Sequence, residues 1–277
     1  MTNQSANCAG LTRDVPPQAV LQRMDLPGPR YTSYPTADRF SEDFDASGLA
    51  HALAERRRID EAGIARPLSV YVHVPFCESV CYYCACNKVI TKHHERAAPY
   101  IDALGLELDL IVRAIGAQRS VAQLHLGGGS PTFLSDAEIS SLMRKLRRSM
   151  FLRPDAEISI EVDPRTVTAA RLAHLRAEGF NRISFGVQDF DADVQQAVHR
   201  VQSFESVRDL MQEARTLGFS SINADLIYGL PRQTPATGAG TIHADTTSWL
   251  GPLSLPWKSG TSGLALNSLY ISPYIPK

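Results

Sequence analysis

Apolar positions along the chain fall into two alternating periods. Short apolar segments predict strands at 67–75, 121–126, 157–162, 182–187 and 221–228, the first with Leu68, Val70, Val72 and Val74 at every second position. Between them, apolar residues at helical spacing predict helices. The clearest is 97–117, with Ile101, Leu104, Leu108, Ile111 and Ile115 on one stripe; others are expected at 46–57, from Ser135 through 148, after Thr168, and at 204–217. Ser135 with Glu138 forms a capping box, Thr168 caps the next helix, and Gly179 and Gly218 stop theirs. Gly179-Phe180 and Gly218-Phe219 each stand just before a strand, an echo that marks a repeated βα unit. Repeated βα units specify an α/β fold with a parallel sheet, here expected to curve into a partial barrel.

The flanks break this rhythm. Residues 1–66 read as an arm and a helix, 67–234 as the barrel, and 235–277 as a tail that is not expected to form a domain. After Pro235 the tail has no glutamate, one acid (Asp245), both tryptophans and no helical period. The net charge of −1 gives no electrostatic reason to invoke nucleic acid or an anionic membrane. The first 20 residues lack an apolar signal core, and no run approaches the roughly 18 apolar residues of a membrane span. With reduced thiols, this points to the cytoplasm. The basic run Arg56, Arg57, Arg58 reads as a solvated helix face.

Chemistry concentrates where the first strand ends. Four of the five cysteines, Cys77, Cys81, Cys84 and Cys86, fall within YVHVPFCESVCYYCACNK, and Cys8 stands alone in a polar leader. The C-x3-C-x2-C spacing lets three thiolates wrap one face of an iron–sulfur cube, and since such a cube normally takes four cysteines, one iron is left open. A zinc knuckle made of Cys77, Cys81, Cys84 and either Cys86 or His73 is the chemical alternative, although zinc sites more often pair two C-x2-C units across a longer gap. One dense cluster does not staple distant segments, so a disulfide framework is disfavoured.

In barrels of this kind chemistry sits at the carboxyl ends of the strands. There the chain places Gly127-Gly128-Gly129-Ser130-Pro131, where glycines let backbone approach a ligand and offer amide N–H groups, then Glu161, Gln188 and, inside the fifth strand, Asp225. An acid in an apolar strand costs free energy without a partner. A structural ion pair of Glu161 or Asp225 with Arg182 or Arg200 is the alternative to a ligand site.

The C-x3-C-x2-C motif after a strand resembles the radical S-adenosylmethionine (SAM) enzymes, whose open iron is chelated by the amino and carboxylate groups of SAM. Within them, Tyr71-Val-His-Val-Pro-Phe-Cys77 and the run through Cys84-Ala-Cys86-Asn87-Lys88 resemble the oxygen-independent coproporphyrinogen III oxidase family. The resemblance spans 28–234 and implies a 4Fe-4S cluster on Cys77, Cys81 and Cys84, with Cys86 a subfamily marker and not a ligand. It implies a SAM pocket formed by Gly128, Gly129, Ser130, Glu161, Gln188, Arg200 and Asp225, with Tyr71 at its entry and Tyr83 in the cysteine loop. Ser130, Ala85 and Tyr83 stand where the family usually has Thr, Gly and Phe. The segment GPRYTSYPTA is similar to one that drapes over the family's active-site mouth, and Arg30 within it matches the propionate carboxylates of a porphyrinogen.

The resemblance further implies that a SAM-derived 5′-deoxyadenosyl radical abstracts propionate hydrogens, converting coproporphyrinogen III to protoporphyrinogen IX in haem biosynthesis. An unidentified electron donor would supply the cluster, and the protein would act as a monomer without nucleic acid or membrane partners. Relative to the family, the last barrel strand and the carboxyl-terminal domain are missing, so the sheet is expected to end in an unpaired edge after 221–228. A haem carrier or an inactive remnant of the fold are the rival readings; Cys86 and GPRYTSYP argue against the carrier.

Overall fold

The computed structural model describes residues 43–64, 67–84, 86–234, 236–238 and 240–241, the backbone of 270–273, and positions 19, 23 and 41. Arg30, Cys8, Ala85 and the GPRYTSYPTA segment lie outside the described residues. The chain divides into two compact units, Met1–His51 and Ala52–Lys277.

The first described helix, α1 (Ala46–Glu61), crosses that division. Asp45 starts it by accepting hydrogen bonds from the amides of Ser47 and Gly48, each at 2.9 Å. It runs four residues beyond the expected end at Arg57. The basic run is the reason: Arg56 pairs with Asp60 at 2.9 Å and Arg57 with Glu61 at 2.8 Å, both one helical turn on.

The larger unit follows as β1 (Leu68–Val74), β2 (Phe76–Cys77), β3 (Val89–Ile90), α2 (Ala97–Ile115), β4 (Ser120–Gly128), α3 (Asp136–Ser149), β5 (Phe151–Val162), α4 (Ala169–Ala177), β6 (Arg182–Gln188), α5 (Ala192–Ala197), α6 (Phe204–Thr216), β7 (Ser221–Tyr228) and β8 (Tyr270–Pro273). Its main sheet is parallel in the order β1-β4-β5-β6-β7-β8, as repeated βα units require. The expected caps form: the Ser135–Glu138 box opens α3, and the Thr168 hydroxyl accepts from the Arg171 amide at the start of α4. Gly179 and Gly218 adopt φ of +91° and +81°, left-handed positions that end α4 and α6. Among the described residues no helix is long and apolar enough to cross a membrane.

Three elements depart from the sequence expectation. Strand β5 starts at Phe151, six residues early, because its first turns pair with Ser120 and Val121 across a register shift. Helix α5 was not anticipated; six residues are too few for a periodic signal, although Asp191 caps it through the amides of Asp193 and Val194. The third departure corrects the expected open edge. The tail backbone at Tyr270–Pro273 runs parallel to β7, with Asp225 opposite Tyr270 and Tyr228 opposite Pro273. Unpaired N–H and C=O groups along β7 favour any extended segment that can reach them.

The two faces of the sheet differ in chemistry. Val72, Val74, Leu124, Leu126, Ile160, Phe185 and Val187 are buried, packed with Ile101, Met143, Leu172 and Met211 from the helices. Each fully buried side chain of this size contributes about 1.5–3 kcal/mol. The alternate positions are polar. One register row reads Tyr71, His125, Ser159, Arg182 and Ser221 across β1, β4, β5, β6 and β7. A parallel sheet is ordinarily apolar on both faces. Here one face builds the core, and the other carries the polar row.

Candidate functional site

The cysteine loop hangs from a backbone clamp. Pro75 turns β1 into β2, whose last residue is Cys77, and β3 closes the loop: the Val89 amide donates to the Pro75 carbonyl at 2.8 Å and that of Thr91 to Cys77 at 2.9 Å. Just after β4, the Gly129 amide donates to the Val74 carbonyl at 2.8 Å and the Ser130 amide to that of Phe76 at 2.9 Å. These amides are therefore spent on the clamp and do not offer themselves to a ligand, which corrects one role expected of the glycine run. The close approach is real. A Cβ on Gly129 would lie 2.7 Å from the Pro75 oxygen and 2.9 Å from Cys77 Sγ, and Gly128 holds φ at +121°.

Further bonds shape the loop. The Cys84 amide donates to the Cys81 carbonyl at 3.0 Å, and Lys88 Nζ donates to the carbonyls of Cys84 and Cys86 at 3.2 and 3.3 Å. His73 Nε2–H donates to the Asn87 carbonyl at 2.8 Å, which leaves Nδ1 to accept from the Tyr71 hydroxyl at 3.0 Å. Both ring nitrogens of His73 are thus engaged away from the sulfurs, so the zinc alternative loses its histidine.

These pieces face one cavity of about 380 Å³. Cys77, Cys81, Tyr83, Cys84, Cys86, Gly128, Gly129, Ser130, Glu161, Gln188, Arg200 and Asp225 all line it, drawn from the ends of five segments far apart in the chain. Tyr71 does not line it. Its half-exposed ring stacks on His125 with centroids 5.7 Å apart, one residue behind Glu161. Gln188 carries φ of +73°, a left-handed conformation that a non-glycine residue adopts at a cost, and it does so inside the cavity.

Neither acid makes the ion pair held open as an alternative. Arg182 pairs with Glu157 at 2.6 Å, and Arg200 with Asp163 at 3.4 Å. Glu161 Oε1 instead accepts from His125 Nε2 at 3.1 Å, and Asp225 Oδ2 accepts from the Ser184 hydroxyl at 2.9 Å. Burial pushes the Asp225 carboxyl up to about 6; the Ser184 hydrogen bond is the next largest influence and pulls it down, while the charge of Glu161 adds a smaller upward push.

Asp163, Arg165 and Lys88 were missed from sequence and also line the cavity. Arg165 forks onto the Asp163 carboxylate, with Nη2 to Oδ2 at 2.6 Å. Despite the cost of burial, Arg165 and Arg200 hold the Asp163 carboxyl below its ordinary range. Arg200 is buried; it donates to the Gly186 carbonyl at 2.6 Å and reaches Cys81 Sγ at 3.5 Å. Gly186 makes this approach possible, since a Cβ there would lie 2.9 Å from Arg200 Nη2. A chain of charge therefore runs from Arg165 through Asp163 and Arg200 to a loop sulfur. Only the Asp163-Pro164 pair at the end of a strand could have flagged it.

The donor set fits an iron–sulfur cluster. Cys77, Cys81 and Cys84 converge on one cavity, Gly129 leaves Cys77 Sγ its space, and a guanidinium N–H backs Cys81. Cys86 hydrogen-bonds to Cys84, which lowers the Cys84 thiol and raises that of Cys86 from their ordinary values.

Residues 71–243 match the model of the radical SAM superfamily, and the chain belongs to that superfamily. Membership implies a 4Fe-4S cluster and SAM as cofactors. Within it, the chain is 52% identical over 225 residues to the oxygen-independent coproporphyrinogen III oxidase of Escherichia coli (strain K12), covering 81% of this chain and 47% of that protein. The enzyme of that name from Pseudomonas aeruginosa is 50% identical over 225 residues, covering 80% and 48%. A solved structure of coproporphyrinogen III oxidase from Escherichia coli, described as a radical SAM enzyme, superposes with a TM-score of 0.72 at 48% identity, covering 82% of this chain and 49% of that one. The chain spans about half the length of the curated relatives it matches.

Proposed function

We propose that this chain carries the cofactor-binding half of an oxygen-independent coproporphyrinogen III oxidase acting in haem biosynthesis. The observation that carries the reading is the convergence of Glu161, Gln188, Arg200 and Asp225 with the cysteine loop on one cavity, in a chain about half identical to such oxidases. Cys77, Cys81 and Cys84 would hold the cluster, and Gly128, Gly129, Ser130, Glu161, Gln188, Arg200 and Asp225 would surround SAM, with Tyr83 from the cysteine loop. When bound, the cluster and SAM supply a carbon radical able to take a hydrogen atom from a propionate chain.

This chain's own residues bind and shield. Glu161 and Asp225 would offer acceptor oxygens to polar groups of SAM, Arg200 keeps a fixed positive charge beside the loop, and the amides of Gly129 and Ser130 fix the backbone that leads into the cysteines. Tyr71 acts at one remove, stacked on the histidine that holds Glu161. Arg30 is the proposed contact to substrate carboxylates. The reading also takes 67–234 as the functional unit, an electron donor as a partner, a monomeric state, and the reduced thiols as a sign of the cytoplasm.

Anaerobic reconstitution followed by turnover tests it. The expected result is about four irons and four sulfides per chain, with SAM cleaved and vinyl groups formed only when coproporphyrinogen III is present. SAM cleavage that ignores the porphyrinogen would overturn the substrate.

A further inference from the structure

A second cavity, of about 370 Å³, opens on the polar face of the sheet and shares no lining residue with the first. Its polar wall includes Ser69, Gln123, Glu157, Ser159, Arg182 and Asn223, all from strands rather than from loops. Side chains like these are costly in the middle of a parallel sheet unless something polar meets them. Part of the need is met internally. Ser69 donates to Gln123 Oε1 at 2.7 Å, and Arg182 Nη1 donates to Glu157 Oε2 at 2.6 Å.

Two needs are left over. Among the described residues Arg182 uses only Nη1, so its other N–H groups remain available, and Asn223 Oδ1 is buried with no partner. The two residues stand on adjacent strands, Arg182 opposite Ser221 and Asn223 opposite Ser184. A forked donor beside a lone acceptor calls for a ligand that presents a carboxylate next to an N–H group.

Two hydrogen bonds, side by side, link the two cavities. His125 and Ser184 line the second cavity, and each bonds to an acid lining the first: His125 to Glu161 at 3.1 Å and Ser184 to Asp225 at 2.9 Å. Anything held by Arg182 and Asn223 therefore lies next to whatever Glu161 and Asp225 hold. The size is that of a small-molecule pocket, enough for one ring and its side chains and too small for a whole tetrapyrrole.

Resting on the substrate reading above, we propose that this second cavity is a substrate subsite that takes one pyrrole arm of the porphyrinogen, its propionate on Arg182 and its N–H on Asn223. Arg182 and Asn223 are then specificity-determining residues on the substrate side of the cofactor acids. A ring that carries its carboxylate but lacks the N–H leaves Asn223 Oδ1 unpaired and binds less well.

The test is equilibrium binding of coproporphyrinogen III under anaerobic conditions to the reconstituted chain with SAM present and no reductant, so that nothing turns over. Asn223→Leu removes the acceptor at similar volume, and Arg182→Lys keeps a charge opposite Glu157 while losing the fork. Each is expected to weaken porphyrinogen binding about ten-fold or more, with iron content and SAM affinity unchanged. Arg182→Lys reads the subsite alone if Asn223→Leu unfolds. Unchanged porphyrinogen binding in the folded variants would overturn the subsite and leave the substrate reading standing. Failure of the unmodified chain to bind any porphyrinogen would overturn both.

Discussion

The two cavities occupy the same face of the same sheet and are built by opposite means. The first is assembled mostly from strand ends and loops: a cysteine loop held by β2, β3 and the turn after β4, with Glu161 and Gln188 at the ends of β5 and β6 and Asp225 reaching in from within β7. The second is made of strand interiors, where every other residue faces inward. Loops can carry dense, spaced motifs because they are free of the alternation a strand imposes. A strand interior has one inward side chain in two, so a site made there is spread over many short segments and leaves no motif.

Removing what only the first cavity has gives the largest effect. Cys77→Ala, Cys81→Ala or Cys84→Ala should each abolish cluster formation, measured as iron and acid-labile sulfide, whereas Cys86→Ala should retain both. If Cys86→Ala also lost the iron, the fourth cysteine would be a ligand and the open iron would disappear with it.

Asp163→Asn attacks the charge chain behind the loop. It leaves Arg165 and the buried Arg200 short of a counter-charge, and breaking a buried pair of this kind costs roughly 3 kcal/mol or more. The expected outcome is a lower denaturation midpoint together with poorer cluster loading. No change in the midpoint would show that Gly186 alone secures Arg200.

Asp225 distinguishes stability from binding through pH. Its carboxyl sits at about 6 in the folded chain against an ordinary 3.8, chiefly through burial, so ionising it above pH 6 costs the folded state and not the unfolded one. Stability from this group is therefore highest below the ordinary value and declines as pH rises through about 6, by ~3 kcal/mol. Asp225→Asn should remove that decline in a series of urea unfolding curves. The same substitution should weaken SAM binding, a trade expected where a strained site serves function. A pH-independent difference between the two chains would refute the assignment.

The smallest expected effect is the loss of one acceptor. Glu161→Ala should weaken SAM binding by about 1.5–3 kcal/mol, the range for a hydrogen bond to a charged group, with a smaller effect on folding. Equal losses in folding and binding would return Glu161 to a purely structural role beside His125.

What could be read from sequence follows the same division. The strand and helix order was legible because one face of each strand and the inner face of each helix must both be apolar, and capping residues such as Ser135 and Thr168 are local chemistry; Asp191 caps a helix too short to show a period. The cysteine loop and the rim residues were legible through spacing and resemblance. The Asp163–Arg200–Cys81 chain was not, since it joins positions whose nearness exists only once β5, the segment after β6 and the loop are brought together. The partner of β7 was not either: a four-residue strand in a tail without period carries too little pattern to stand out, and backbone pairing at an open edge does not depend on one. Tyr71 was placed at the pocket by resemblance, but its side chain alternates onto the row of His125, behind the acids.

The central claim is that three cysteines hold a cluster with one iron left for SAM. Electron paramagnetic resonance of the anaerobically reconstituted, dithionite-reduced chain, recorded before and after SAM is added, tests it most directly. The expected result is the signal of a reduced four-iron cluster whose g-values shift on addition of SAM, with the same shift in Cys86→Ala. A signal indifferent to SAM, or a colourless chain carrying one zinc, would contradict it.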